Sequence, residues 1–269
     1  MNQNTKYQEN QGWHFIYLKV VQFFEEIGEM ALFTGRFFRT FWQPPFEWRE
    51  FLNQSYNLGN KSLFLVSLTG FIMGLVLDLQ SRPTMIEFGA VSWMPSMVGI
   101  TIVREMGPMV TALICAGKIG SSIGAELGSM RVTEQIDAME VSGTNPFKYL
   151  VVTRVLAATL MVPLLVIVGD ACSLGGSFLV EHLKGNVSFH LYFNQVFEGL
   201  EMGDIVPSTI KTFFFGAAIG VVGCYKGYTS RKGTAGVGKA SNSAVVVASV
   251  LVFVLDFIAV LIADLFYEL

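Results

Sequence analysis

Apolar residues in this chain gather into five long runs separated by shorter polar stretches. A helix that crosses a bilayer needs ~20 mostly apolar residues. The runs over 62–79, 91–117, 149–180, 205–225 and 244–267 meet or approach that length. The first ends near Asp78, where Ser81-Arg82-Pro83 forms a polar, proline-broken stretch. Arg104-Glu105 and Pro108 interrupt the second, and the third contains Pro163 and Asp170. Residues 15–38 carry a different pattern. Ile16, Val20, Phe23, Phe24, Ile27, Met30 and Ala31 recur at helical spacing, with Lys19, Glu25, Glu26 and Glu29 on the other face. This pattern predicts an amphipathic helix lying in a membrane interface, or one packed on the bundle from the cytosol. Pro44-Pro45 with Trp42, Phe46 and Trp48 then mark an interfacial corner. The predicted fold is an all-α integral membrane protein, with residues 1–61 as an N-terminal segment and residues 62–269 as the transmembrane domain.

Composition narrows the class. Apolar residues make up 52% and charged residues 14%, against about 25% charged in a soluble domain. So much apolar surface excludes disorder. Eighteen Lys and Arg against 21 Asp and Glu leave no basic face for nucleic acid. Cys115, Cys172 and Cys224 sit in apolar runs and read as small hydrophobes. Residues 1–12 are polar, so no signal peptide is expected. Cations set the orientation. Six precede the first run, four lie between runs two and three or at the start of run three (Lys118, Arg131, Lys148 and Arg154), and four between runs four and five; the opposite loops hold only Arg82 and Lys184. Fourteen against two places the N-terminus in the cytoplasm and, with five spans, Leu269 on the far side.

Two stretches between the runs carry candidate chemistry. Residues 233–240, GTAGVGKA, nearly match the phosphate-binding loop GxxxxGK[ST], but Ala240 stands where a hydroxyl would hold magnesium. The stretch joins two spans rather than a strand and a helix, so a basic, Gly-rich turn is the better reading. Residues 117–146 are more informative. Gly120, Gly124 and Gly128 recur every four residues, as Gly216 and Gly220 do, and favour close packing of helices within the chain. Thr133-Glu-Gln-Ile-Asp-Ala-Met139 then reads as a short helix with Thr133 as N-cap, stopped by Gly143 and Asn145-Pro146. Ile136 and Met139 would form an apolar ridge for a groove in another protein, or the helix touches only its own bundle.

The block from Gly117 to Ala157, with REMGP (104–108), GVGKA (236–240) and LDF (255–257), resembles the signature of the MlaE/YrbE permease family. That resemblance implies the membrane subunit of an ABC-type transporter in the bacterial inner membrane, moving phospholipids or related lipids between inner and outer membranes. It implies a homodimer of permeases, a separate ABC ATPase subunit that binds the ATP, and a partner protein with MCE domains. Cofactors in the chain itself are expected to be none. It also implies that Glu134, Gln135, Ile136, Asp137, Ala138 and Met139 form the coupling helix that docks into the ATPase. The residues alone leave an ion-coupled secondary transporter open, although no internal repeat is evident and Asp78, Asp170, Asp256 and Asp264 are scattered, mostly near span ends. No catalytic set or metal cluster is expected; His14, His182 and His190 share no spacing. Arg104 and Glu105 stand either at a lipid cavity or in an ion pair bracing the bundle, with Lys211 as a candidate partner.

Overall fold

The structure is a computed structural model that describes residues 21, 24–44, 46–230 and 233–267. Every regular element among them is helical. The chain divides into two units, residues 1–45 and 46–269. The first contains helix α1 (24–41), so the predicted amphipathic helix forms over its later part, while Ile16, Val20 and Phe23 lie outside the described residues.

The second unit holds α2 (Trp48–Glu87), α3 (Val91–Val132), α4 (Gln135–Val141), α5 (Phe147–Gly185), α6 (Phe189–Gly199), α7 (Met202–Tyr228) and α8 (Thr234–Tyr267). Five of them, α2, α3, α5, α7 and α8, are long and apolar enough to cross a membrane. All five predicted spans are present, and each helix extends beyond its apolar run. Turns at 133–134 and 142–146 flank α4 at one end of the bundle, where Gly128 of α3 approaches Ser230 and Val237. The connection from α2 to α3 and helix α6 lie at the opposite end.

Helices α2 and α5 run parallel in a constant register. Glu50 accepts from the Tyr149 hydroxyl, Asp78 from Ser177, and Arg82 pairs with Glu181, each pair 99 residues apart. Small residues permit the approach. A Cβ on Gly70 would lie 2.6 Å from the Gly169 carbonyl oxygen, and one on Gly216 of α7 2.6 Å from that of Ala158 in α5. Gly124 likewise faces Ala240 and Ala244 of α8. The glycine repeats therefore serve packing within this chain, where close backbones gain dispersion contact that lipid cannot better.

Three sequence expectations fail here. First, α2 does not stop at Ser81-Arg82-Pro83 but continues to Glu87, because its polar side chains find partners on α5 rather than in water. Arg82 meets Glu181 at 2.5 Å, and Asp78 is fully buried instead of solvated at a span end. Second, the far connection is no open loop. Ser188 caps α6 by accepting from the Leu191 amide, and Tyr192 and Val196 pack on Met94, Val98 and Ile102 of α3. The Tyr192 hydroxyl donates to Ser177, and burial pushes its pKa up to about 12. Third, α3 is one rod rather than a span ending at Gly117, with π-helical stretches at Ile102–Met106 and Ala116–Gly120. Pro108 has no N–H to offer, so the hydrogen-bond ladder shifts register just before it.

Candidate functional site

The first π-helical stretch carries Arg104 and Glu105, and this shift turns both toward α7 and α8. Lys211, in the N-terminal half of α7, is 5% exposed. Its ammonium lies 2.8 Å from Glu105 Oε2 and 2.9 Å from Asp256 Oδ1 of α8. Arg104 lies 3.5 Å from Asp204 at the start of α7. The five groups form one cluster of two cations and three carboxylates drawn from three helices. A buried ammonium is tolerated only when counter-charges stand this close, and charges at such depth mark pathways or ligand sites. Lys211 is thus the partner of Glu105 that the ion-pair reading requires.

The same lysine touches an apolar space. A cavity of about 520 Å³ lies between α7 and α8, walled by Ile210, Phe214, Leu255, Ile258 and Ile262, with Lys211 as its charged lining residue. Both Arg104 and Glu105 border a narrow recess beside it, with Asp204 and Lys211. Their side chains are 42% and 39% exposed. The bracing and cavity readings are therefore not exclusive: the pair that ties α3 to α7 also edges the cavity. An apolar space of this size with a few convergent charges suits an amphiphile. Asp204 and Asp256 escaped the sequence reading as site residues. Only the motif LDF pointed to Asp256, and nothing local to Asp204 distinguishes it from a capping residue, which it also is.

At the other end, α4 is present but built differently from expectation. Thr133 is not its N-cap; it closes α3, and its hydroxyl donates to the Ser129 carbonyl. Glu134 takes a left-handed conformation (φ 58°) between the two helices, and Arg131 pairs with Asp137 at 2.5 Å. Gly143, at φ 80°, ends the element as predicted. Ile136 does not form an outward ridge, because it is fully buried within its own unit. The face left open carries Glu134, Gln135, Ala138 and Val141, the last 91% exposed; Met139 is half-buried. Helical spacing put Ile136 and Met139 on one side, and the bundle took that side.

The glycine-rich run is not a turn. Helix α8 begins at Thr234 and passes through Gly236, Gly238 and Lys239. Its backbone N–H groups are committed to the helix beyond the first turn, so they cannot cradle a phosphate as a loop does. Arg231 and Lys232 lie outside the described residues.

The family model Permease MlaE matches residues 51–262. A probable ABC transporter permease protein of Rickettsia prowazekii is 37% identical over 255 residues, 95% of this chain and 97% of its own length. One from Synechocystis is 30% identical over 234 residues, covering 87% and 89%. The chloroplastic protein TRIGALACTOSYLDIACYLGLYCEROL 1 of Arabidopsis thaliana is 33% identical over 211 residues, 78% of this chain and 60% of that protein.

Proposed function

Since the chain belongs to the MlaE permease family, we propose that it is the subunit through which an ABC transporter moves phospholipids or related lipids between two membranes. The family makes it a transport subunit of a membrane rather than a catalyst. The observation that carries the lipid reading is Lys211. It places a positive charge, held by two carboxylates, at the edge of a 520 Å³ apolar cavity. Acyl chains would occupy the apolar walls while Arg104, Glu105 and Lys211 meet the polar part. The name of the Arabidopsis relative, which contains that of a glycerolipid, supports the same class.

Energy would come from a separate ATPase subunit that binds the ATP, so the chain itself needs no cofactor. Residues 134–139 would couple the two. In this arrangement Ile136 anchors α4 to the bundle, and Gln135 and Ala138, with Val141 beyond them, face the ATPase. By the cation bias α4 would lie in the cytoplasm, and the far end, with α6, would face an MCE-domain partner. Helix α1 would lie in the interface, since Phe24, Leu32, Phe38 and Trp42 are exposed apolar residues. A second copy of the chain would complete a homodimer in a bacterial inner membrane. Helix α8 fits that role, being only 17% buried in its most apolar stretch.

One observation favours a second reading. Glu105 and Asp256 converge on Lys211 inside the bundle, which is the paired-carboxylate feature of an ion-coupled transporter. Reconstitution separates the two. Lipid transfer between vesicles that needs ATP and the ATPase, and ignores a protonophore, supports the ABC reading. Transfer that collapses with the proton gradient and ignores ATP overturns it.

A further inference from the structure

A second cavity, of about 260 Å³, lies between α3, α5 and α7 and shares Ser208 with the recess beside the Lys211 cluster. Asp170 of α5 lines it, with Val103 and Pro108 of α3 and Ser208, Thr209 and Thr212 of α7. Asp170 Oδ1 is buried without a hydrogen-bond donor and lies against Gly107, where any Cβ would overlap it. Among the described residues, no cationic side chain lines the cavity.

The hydroxyls opposite cannot supply the missing donor. Ser208 and Thr209 both donate to the Ile205 carbonyl, at 2.9 and 2.8 Å, and Thr212 donates to that of Thr209 at 2.6 Å. Each hydroxyl proton is spent on its own helix, so what these groups can turn to the cavity is lone pairs. Its polar complement is therefore one carboxylate and three acceptors. Phosphate and carboxylate ligands are excluded by repulsion, and a neutral apolar ligand would leave Asp170 uncompensated. A primary ammonium fits, because it brings a positive charge and three N–H donors. The rim is apolar and open, with Ile167 57% and Phe197 66% exposed. That suits a ligand arriving from lipid rather than from water. The space is below the 300–1,000 Å³ typical of a whole drug-sized ligand, so it would take only the ammonium end of a headgroup while the phosphate and the chains stay outside.

We propose that this cavity binds the primary-ammonium headgroup of a lipid in transit, with Asp170 as its counter-ion. The inference rests on the lipid-permease reading above and adds headgroup selectivity to it. The test is native mass spectrometry of the full-length protein released from nanodiscs of phosphatidylethanolamine, phosphatidylcholine and phosphatidylglycerol in equal parts. The wild type should retain phosphatidylethanolamine about tenfold over either of the other two lipids, the loss of one charged hydrogen-bonded contact being of that order. Phosphatidylcholine, whose ammonium has no N–H, should not be enriched. Asp170→Asn should retain as much lipid in total but at the bulk ratio. Ile167→Trp, which fills the rim from an exposed position, should give the same loss and stands in if Asp170→Asn does not fold. Retained enrichment in either folded variant overturns the proposal, as does displacement by free ethanolamine, which would move the ligand to solution. Lipid bound at the bulk ratio in the wild type overturns this inference alone. A wild type that retains no lipid overturns the permease reading with it.

Discussion

Lys211 Nζ sits 2.9 Å from Asp256 Oδ1, and this contact fastens α7 to α8, the least buried of the five long helices. With Glu105 on its other side, Lys211 is the hub that ties three helices together beside the large cavity. The hub makes stability and function separable by charge.

Lys211→Met removes the cation and leaves two carboxylates facing each other across the bundle. Breaking a buried pair from one side costs ~3–5 kcal/mol, which lowers Tm by roughly 6–15 °C in a chain of this size. Adding Asp256→Asn should recover much of the loss, because the remaining Glu105 is partly exposed. Thermal melts of both variants in detergent check this; equal melts for the single and double variants would show that Asp256 carries no uncompensated charge.

Helix α4 offers a paired test. Val141→Asp and Ala138→Glu alter exposed positions, where a surface change stays within about 0.5 kcal/mol. They should leave the melt unchanged and abolish stimulation of the partner ATPase. Ile136→Asp should instead lower stability by several kcal/mol, because an aspartate there would be buried without a partner. If Val141→Asp and Ala138→Glu leave ATPase stimulation intact, the coupling role of this face fails.

The pair Arg82–Glu181 holds the extension of α2 past Pro83. Arg82→Met would strand Glu181, which is 1% exposed, at a cost of ~3 kcal/mol or more. Glu181→Gln added to it should restore part of that. Hydrogen exchange should rise in residues 80–87 of the single variant; unchanged exchange would mean that packing alone carries this turn.

Orientation can be read by labelling. Single cysteines at Ser142, beside α4, and at His190, on α6, occupy exposed positions at opposite ends of the bundle. A membrane-impermeant maleimide applied to intact cells should label position 190 and not 142. The reverse pattern would invert the topology inferred from the cation bias.

How much of this was written in the chain alone depends on the range of the physics. The five spans were legible because the transfer of a ~20-residue apolar run into lipid depends on that run and little else. So were the stop at Gly143, whose φ of 80° favours glycine, and the family motifs. Residues needing a distant partner were not legible. Whether Arg82 ends a helix or extends it depends on Glu181, 99 residues away. Lys211 and Glu105 meet across 106 residues, and no local pattern says which carboxylate a buried lysine will find. The ridge on α4 shows the same division. Sequence spacing placed Ile136 and Met139 on one side of a helix, but only the packed bundle decided that this side faces inward, since an apolar side chain goes wherever it loses the most water. Asp170 is the sharpest case: the sequence recorded a carboxylate in a span, and the tertiary structure alone set it against Gly107 in a cavity of acceptors.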